Sequence, residues 1–355
     1  MSEIQKHTKP NVPNLRFPGF CGEWERKQVR DIAPLQRGFD LPSQSLKEGI
    51  YPVVYSNGIM NYHSEYKCEA PGLVTGRSGT IGKLTYIESG RYWPHNTTLW
   101  VTDFKNNESK FVYYFYEHLD LSRFSSGSGV PTLNRNDVHT YKTFIPSLTE
   151  QKKIASFLSL LDERISIQSK VIELYESLIK ALAYEKIGKH TTNITLSECV
   201  RCSSSTIKES DLLDGGTVPA YGASGISGYM NNAISENDSI LITKDGSGVG
   251  SLRYVRGSHS FVGTLNSMTP NEGVYLPYIY YALQNVCFES YRTGQAIPHI
   301  YFKDYGKEAI YCPSFDEQKR LAKGLEIIDS KVGIERAALQ YLHSAKAYLL
   351  SAMFI

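Results

Sequence analysis

The sequence has almost no net charge. Its 38 Lys and Arg against 36 Asp and Glu leave +2 at pH 7. That balance neither proves nor excludes a nucleic-acid partner, because what matters is local clustering. Cysteine is sparse, with Cys21, Cys68, Cys199, Cys202, Cys287 and Cys312 scattered along the chain. The opening MSEIQKHTKPNVPNL has no apolar core of the secretory kind, and no apolar run reaches membrane-span length. A reduced cytoplasm is the expected compartment, with no membrane partner. Glycine and tyrosine are plentiful, at 28 and 25. That mixture suits β-rich modules with tight turns and a polar, aromatic surface. The 355 residues, 41% of them apolar, suffice for two ordinary domains with sizeable cores.

The chain is written twice. PSLTEQKKIASFLSLLDERI begins at Pro146, and PSFDEQKRLAKGLEIIDSKV begins at Pro313, 167 residues later. GSGVPTLNRNDV matches GQAIPHIYFKDY, with Pro131 over Pro298 and Asp137 over Asp304. QVRDIA matches TLSECV at the same spacing, and TGRSGTIGKLTYI lies over TKDGSGVGSLRYV at an offset of 168. The copies run roughly over 24–190 and 191–355. Each begins with short apolar runs broken by Gly, Pro, Asn and Ser, which read as strands and turns. Each then continues into one long helix. The expected division is 1–147, an N-terminal extension and first module; 148–187, a helix; 188–313, a second module; and 314–355, a second helix.

Both helices open with Ser and Glu three apart, Ser147 with Glu150 and Ser314 with Glu317. This spacing predicts a capping box at each start. Inside, apolar residues recur at alternating steps of four and three. The first seam includes Ile154, Leu158, Leu161, Ile165, Gln168 and Ile172; the second includes Leu321, Leu325, Ile328, Val332, Glu335 and Leu339. A narrow stripe of this kind is a coiled-coil seam. Gln168 and Glu335 form one polar layer at matched positions, a device that fixes register more than it adds stability. Gly324 and Gly333 each weaken the second helix by ~1 kcal/mol relative to Ala. A helix of ~36 residues spans ~54 Å. Two of them paired antiparallel would act as a spacer between the modules. The expected fold class is α+β, with two tandem β-rich domains separated by two long antiparallel coiled-coil helices.

No catalytic signature stands out. TGRSGTIGKL resembles a phosphate-binding loop, but five residues lie between Gly76 and Gly82, and Leu84 follows Lys83. A Walker loop requires four, and then Ser or Thr. Its twin has Ser251 in place of the lysine. There is no dinucleotide fingerprint and no Asn-Pro-Pro-Tyr motif. Cys199 and Cys202 form a lone pair without two further ligands, so no metal site is expected. His95 and His139 belong to no metal or triad pattern.

Three segments, VPNLRFPGFCGEWE and the two P-S-x-x-E-Q-K helix starts, together with the module–helix–module–helix order, resemble the specificity subunit of type I restriction-modification systems. The resemblance covers nearly the whole chain and is strongest at 12–25, 146–165 and 313–332. It implies that each module is a target recognition domain reading one half of a bipartite site in double-stranded DNA. The helices would set the gap and dock two methyltransferase subunits, which carry S-adenosylmethionine and methylate adenine. Restriction and translocase subunits, using ATP and Mg, would join the same complex. The chain itself would bind no cofactor and perform no chemistry.

Features common to both modules suit phosphate contact, whereas features that differ suit base readout. On that logic the DNA-facing candidates are Tyr55, Asn57, Arg77, Lys83, Arg123 and Arg135 in the first module. In the second they are Tyr221, Ser224, Lys244, Arg253, Arg292 and Lys303. Arg77 and Lys83 in the glycine loop are the expected phosphate contacts. Lys6, Lys9 and Arg16 form a basic stretch, either a disordered arm or a segment packed on a neighbouring subunit. Two other functions compete: a stand-alone bivalent DNA-binding regulator, and a self-sufficient nuclease or methyltransferase.

Overall fold

The computed structural model describes residues 11–126 and 131–355. Lys6 and Lys9 lie outside the described residues, as does the first part of GSGVPTLNRNDV. The chain folds as two compact units. Unit one comprises the described residues up to Ile167 together with Leu339–Ile355, and unit two comprises Gln168–Ala338. Each unit therefore contains one module and a part of each long helix.

Unit one opens with β1 (Glu25–Gln28), α1 (Val29–Ile32) and β2 (Leu35–Arg37). Then come β3 (Tyr51–Tyr55), β4 (Gly58–His63), β5 (Cys68–Glu69), β6 (Gly72–Gly76), β7 (Leu84–Ile87), β8 (Arg91–Pro94) and β9 (Thr98–Val101). After α2 (Ser109–Leu119) follow β10 (Ser125–Ser126), β11 (Thr132–Leu133), α3 (Arg135–Thr140) and β12 (Lys142–Ile145), and then α4 (Leu148–Ala183). The strands form two four-stranded sheets, ordered β2-β9-β6-β7 and β4-β3-β8-β5. β1 pairs antiparallel with β12. β6 is GLVTG and buried along its whole length, as its unbroken small and apolar run requires. The aromatic helix α2 buries Phe111, Val112, Tyr114, Phe115, Tyr116 and Leu119. The same core takes in Ile154 and Leu158 of α4, and Met353 and Phe354 from the chain's end. Phe354 packs on Phe111 at 5.3 Å and edge-on to Trp24 at 6.4 Å.

Unit two repeats the plan. Its elements are β13 (Ile194–Thr195), α5 (Leu196–Cys199), β14 (Val200–Ser204), β15 (Val218–Gly222), β16 (Gly225–Met230), β17 (Ser239–Thr243), β18 (Leu252–Val255), β19 (Ser260–Phe261) and β20 (Leu265–Pro270). They continue through α6 (Leu276–Ala282), α7 (Phe302–Tyr305) and β21 (Ala309–Ile310) into α8 (Phe315–Met353). The sheets run β14-β20-β17-β18 and β16-β15-β19, and β13 pairs with β21. Both Gly324 and Gly333 lie inside α8, which runs unbroken for 39 residues.

The seam positions face inward. Ile154, Leu158, Ile172, Leu321, Leu325 and Val332 are buried, and Leu161, Ile165, Ile328 and Leu339 are half-buried. The helices run antiparallel within each unit. In unit one Lys346 bonds Asp162 at 2.8 Å. In unit two the Gln168 amide donates to the Glu335 carboxylate and, at 3.2 Å, to its backbone carbonyl. Lys331 holds the same Glu335 at 2.8 Å, so the polar layer is satisfied from two sides.

The expected capping boxes are corrected by the structure. The Glu150 amide does donate to Ser147 Oγ, at 3.4 Å. The Glu150 carboxylate, however, turns to Arg16, which grips it in a fork at 2.7 and 2.8 Å. A guanidinium offers two parallel donors to a carboxylate, and so wins over one backbone amide. At the second start, the Glu317 carboxylate pairs with Arg320 one turn later. Arg16 thus belongs to the fold of unit one. The segment around it is pinned there by Leu15 N–H donating to Ala352 O at 2.8 Å.

The residue after each Glu does the joining. Gln151 Oε1 accepts from the Glu108 amide at 3.0 Å, just before α2, and its Nε2 donates to Pro146 O at 3.0 Å. Gln318 does the same with the Tyr275 amide at 2.8 Å and Pro313 O at 2.9 Å. Both glutamines are 2% exposed. A buried amide with its donors and acceptors satisfied locks module to helix at one orientation.

Candidate nucleic-acid interface

In unit one the glycine loop follows β6 and closes on itself. Gly76 N–H donates to Lys83 O at 3.1 Å, and Gly82 N–H donates to Gly76 O at 3.2 Å. In unit two, Thr243 N–H donates to Ser251 O at 3.0 Å and Gly250 N–H to Thr243 O at 2.9 Å. Gly82 and Gly250 are therefore twins, with φ of +77° and +86°, a region that glycine alone enters at no cost. The pattern also corrects the expected alignment of the loops. At its start Gly76 is equivalent to Thr243, so Arg77 matches Lys244 and Ser78 matches Asp245. The second loop is one residue longer, and the offset becomes 168 only at its far end.

The two cations sit in the same backbone cradle. Arg77 N–H donates to Thr97 O at 2.9 Å, and Leu133 N–H donates to Arg77 O at 2.8 Å. Lys244 N–H donates to Thr264 O at 2.9 Å, and Ile300 N–H donates to Lys244 O at 2.9 Å. Isolated bridges then tie Ser78 to Thr132 and Asp245 to His299. The loop after β6 is thus stitched to the segment before α3 in unit one, and its twin to the segment before α7 in unit two.

In unit one this stitching builds a cleft of about 690 Å³. Its polar rim is Gln36 and Arg37 of β2, Asp40, Arg77, Thr132, Asn134 and Arg135. Arg37 is neutralised by Asp40 at 3.2 Å. Among the described residues, the Arg77 and Arg135 guanidinium groups have no hydrogen-bond or ion-pair partner. The twin rim in unit two is chemically different. Ser204 stands for Arg37 and donates to Asn266 Oδ1 at 2.7 Å. His299 stands for Thr132, and its Nδ1 lies 2.6 Å from Asp245 Oδ1. Tyr301 and Phe302 replace Asn134 and Arg135.

The other candidates fall into smaller groups. Asn57 and Ser224 occupy twin apices, of the hairpins β3–β4 and β15–β16. Lys83 donates to the Asn57 carbonyl at 2.6 Å, so it ties the glycine loop to the hairpin. Tyr55 packs on His95 at 4.3 Å, and burial lowers the pKa of that imidazole. Tyr221 lies beneath Arg253 at 6.0 Å. Arg123 covers the rings of Phe124 and Tyr141, Arg292 pairs with Glu289 at 2.7 Å, and Lys303 lies over Tyr301 at 5.3 Å. Arg123 is not among the residues that line the cleft, and Lys303 lies against Tyr301 of the twin rim. His139 has a backbone role, its Nε2 accepting from the Leu35 amide at 2.9 Å. Cys199 and Cys202 turn to different partners, Cys312 and Tyr305. Among the described residues no group of three or more His, Cys, Asp and Glu could hold a metal ion, and no helix is long and apolar enough to cross a membrane.

Sequence reasoning missed Gln36, Arg37 and Asn134, and the Asp245–His299 pair. A signal did exist: His299 and Thr132 both follow the paired prolines Pro298 and Pro131.

Comparison with known proteins agrees with this doubled plan. A family model described as the type I restriction modification DNA specificity domain matches twice, at residues 22–176 and 192–343. A curated type I specificity subunit of Mycoplasma genitalium is 25% identical over 367 residues, covering 93% of this chain and 94% of the relative. One from Mycoplasma pneumoniae is 22% identical over 381 residues, covering 97% and 99%. The crystal structure of a type I restriction-modification S subunit from M. genitalium shares the fold, with a TM-score of 0.67 at 21% identity, covering 97% of this chain and 99% of that one. Two copies of one DNA specificity domain, each continued into a long helix, make this chain a member of the type I restriction-modification specificity subunit family.

Proposed function

We propose that this chain reads a bipartite, gapped site in double-stranded DNA, one module per half-site, as the non-catalytic subunit of a type I restriction-modification complex. The observation that carries the reading is the pair of twin rims: the same backbone cradle bears different side chains in the two modules. Identical scaffolds with different polar edges suit two different half-sites.

Docking of partners rests on a second stripe. On α4 the exposed apolar residues Leu160, Ile167 and Leu174 recur every seventh position, at 62%, 47% and 69% exposure. On α8 Ile327, Ile334, Tyr341 and Tyr348 do the same, at 65%, 62%, 76% and 67%. The first three members of each stripe are twins at an offset of 167. Two matched stripes outside the seam suit helices of two identical partners, which we assign to adenine methyltransferase subunits. S-adenosylmethionine, ATP and Mg belong to those partners and to the nuclease and translocase subunits. The stripes also disfavour a stand-alone DNA-binding regulator, which would leave them in water.

The test is a comparison of genome methylation with and without this gene, in cells that retain the partner genes. One gapped adenine-methylation motif disappears on deletion. Unchanged methylation contradicts the reading.

A further inference from the structure

The repeat separates what the two modules share from what they do not, at single-residue resolution. At the heart of each reading edge the shared element is a cation, Arg77 in one module and Lys244 in the other, held by equivalent backbone bonds to Thr97 and Leu133 or to Thr264 and Ile300. A group common to both modules cannot distinguish two half-sites. A lysine replaces an arginine freely at a phosphate, where a point charge suffices, whereas at a guanine edge the exchange gives up the planar fork.

Around that cation the side chains diverge. Arg135 is exposed, with no ion-pair or hydrogen-bond partner among the described residues, and its twin is Phe302. Asn134 beside it spends its side-chain oxygen on the Asn136 amide at 3.0 Å, which fixes the turn that carries Arg135. In unit two the polarity is reversed. Asp245 holds His299 Nδ1 at 2.6 Å, and the ring lies flat against Tyr301, with centroids 6.4 Å apart and planes at 25°. An imidazole that donates Nδ1–H to a carboxylate keeps Nε2 as an acceptor in its neutral form. Such an acceptor matches an exocyclic amino group, adenine N6 or cytosine N4, in the major groove.

We propose that Arg77 and Lys244 are the phosphate anchors of the two modules, that Arg135 reads a guanine in one half-site, and that His299, oriented by Asp245, reads a base amino group in the other. This rests on the DNA-reading role proposed above. Arg77 keeps the role expected from sequence, Lys244 joins it, and Lys83 becomes a tie between the glycine loop and the β3–β4 hairpin.

The test uses the full chain in complex with its methyltransferase partner subunits. Selection from a randomised duplex library gives the motif, and binding at several salt concentrations gives the salt slope. Arg77→Ala and Lys244→Ala each weaken binding to all sequences and reduce the salt slope by about one, with the motif unchanged. Arg135→Ala lowers preference for one guanine about 10- to 100-fold, in one half-site only. His299→Ala relaxes one position in the other half-site. An Arg135→Ala complex that keeps the wild-type motif overturns the assignment, as do both relaxed positions falling in one half-site. Loss of both half-sites in any variant also overturns it, because the residue is then structural. A wild-type complex that selects no motif contradicts the DNA-reading role itself, a result distinct from all of these.

Discussion

The two units place the same backbone around different charges where helix meets module. In unit one Lys346, on the seam of α8, bonds Glu117 of α2 at 2.9 Å and Asp162 of α4 at 2.8 Å. Burial disfavours the ammonium, but the hydrogen bonds to Asp162 and Glu117 outweigh it, and its pKa rises. In unit two the equivalent trio is Ile179, Gln284 and Asp329. The lysine and one acid have gone together, while the second acid remains. Burial raises the pKa of Asp329, only partly offset by the fields of Arg336 and Arg256, and Glu176 and Glu326 push it the same way. The same framework thus holds an ion cluster in one unit and an apolar seam residue in the other, and in unit two the remaining carboxyl is only partly compensated.

The largest expected loss of stability is at Lys346 in unit one. Lys346→Met leaves two carboxylates facing each other without their cation, and lowers stability by about 3 kcal/mol in denaturant unfolding. Ile179→Met, the same replacement at the twin site, changes it by less than ~1.5 kcal/mol. Equal losses at the two sites contradict the asymmetry. The two helix starts supply a smaller contrast. Glu150→Ala removes the fork to Arg16 and lowers stability by about 2 kcal/mol. Glu317→Ala, at a pair whose arginine is exposed, lowers stability by less than about 1 kcal/mol.

The smallest effect is a pH dependence in unit two. The folded pKa of Asp329 lies above its unfolded value, so the native state binds the extra proton between the two values. Stability therefore falls as pH rises through that window, and the full cost persists at neutral pH. Asp329→Asn raises the Tm at pH 7, and the gain shrinks as pH is lowered toward the ordinary aspartate pKa of about 3.9. A gain independent of pH contradicts the assignment to this carboxyl.

The repeat and the seam were legible because periodicity encodes burial directly. Positions such as Ile154, Leu158, Leu325 and Val332 turn inward as their spacing requires. The role of Glu150 was not legible, since its partner Arg16 lies 134 residues away and a local capping rule claimed it first. Gln151 and Gln318 stood in the repeated motif beside those acids, yet their amide partners belong to the module, 43 residues upstream in each copy. At the reading edge, a search for cations found Arg77, Arg135 and Lys244 but passed over Asp245 and His299. Glycine-rich loops also align in more than one register, and only the backbone bonds show that Arg77 and Lys244 are twins.

On the proposed function, two modules on one chain read two separated blocks of bases. The most direct measurement is selection of bound duplexes from a fully randomised library by the complex of this chain with its methyltransferase subunits. The expected result is two short conserved blocks of different sequence at a fixed distance, with unselected bases between them. One contiguous block, or two blocks at variable spacing, would contradict it.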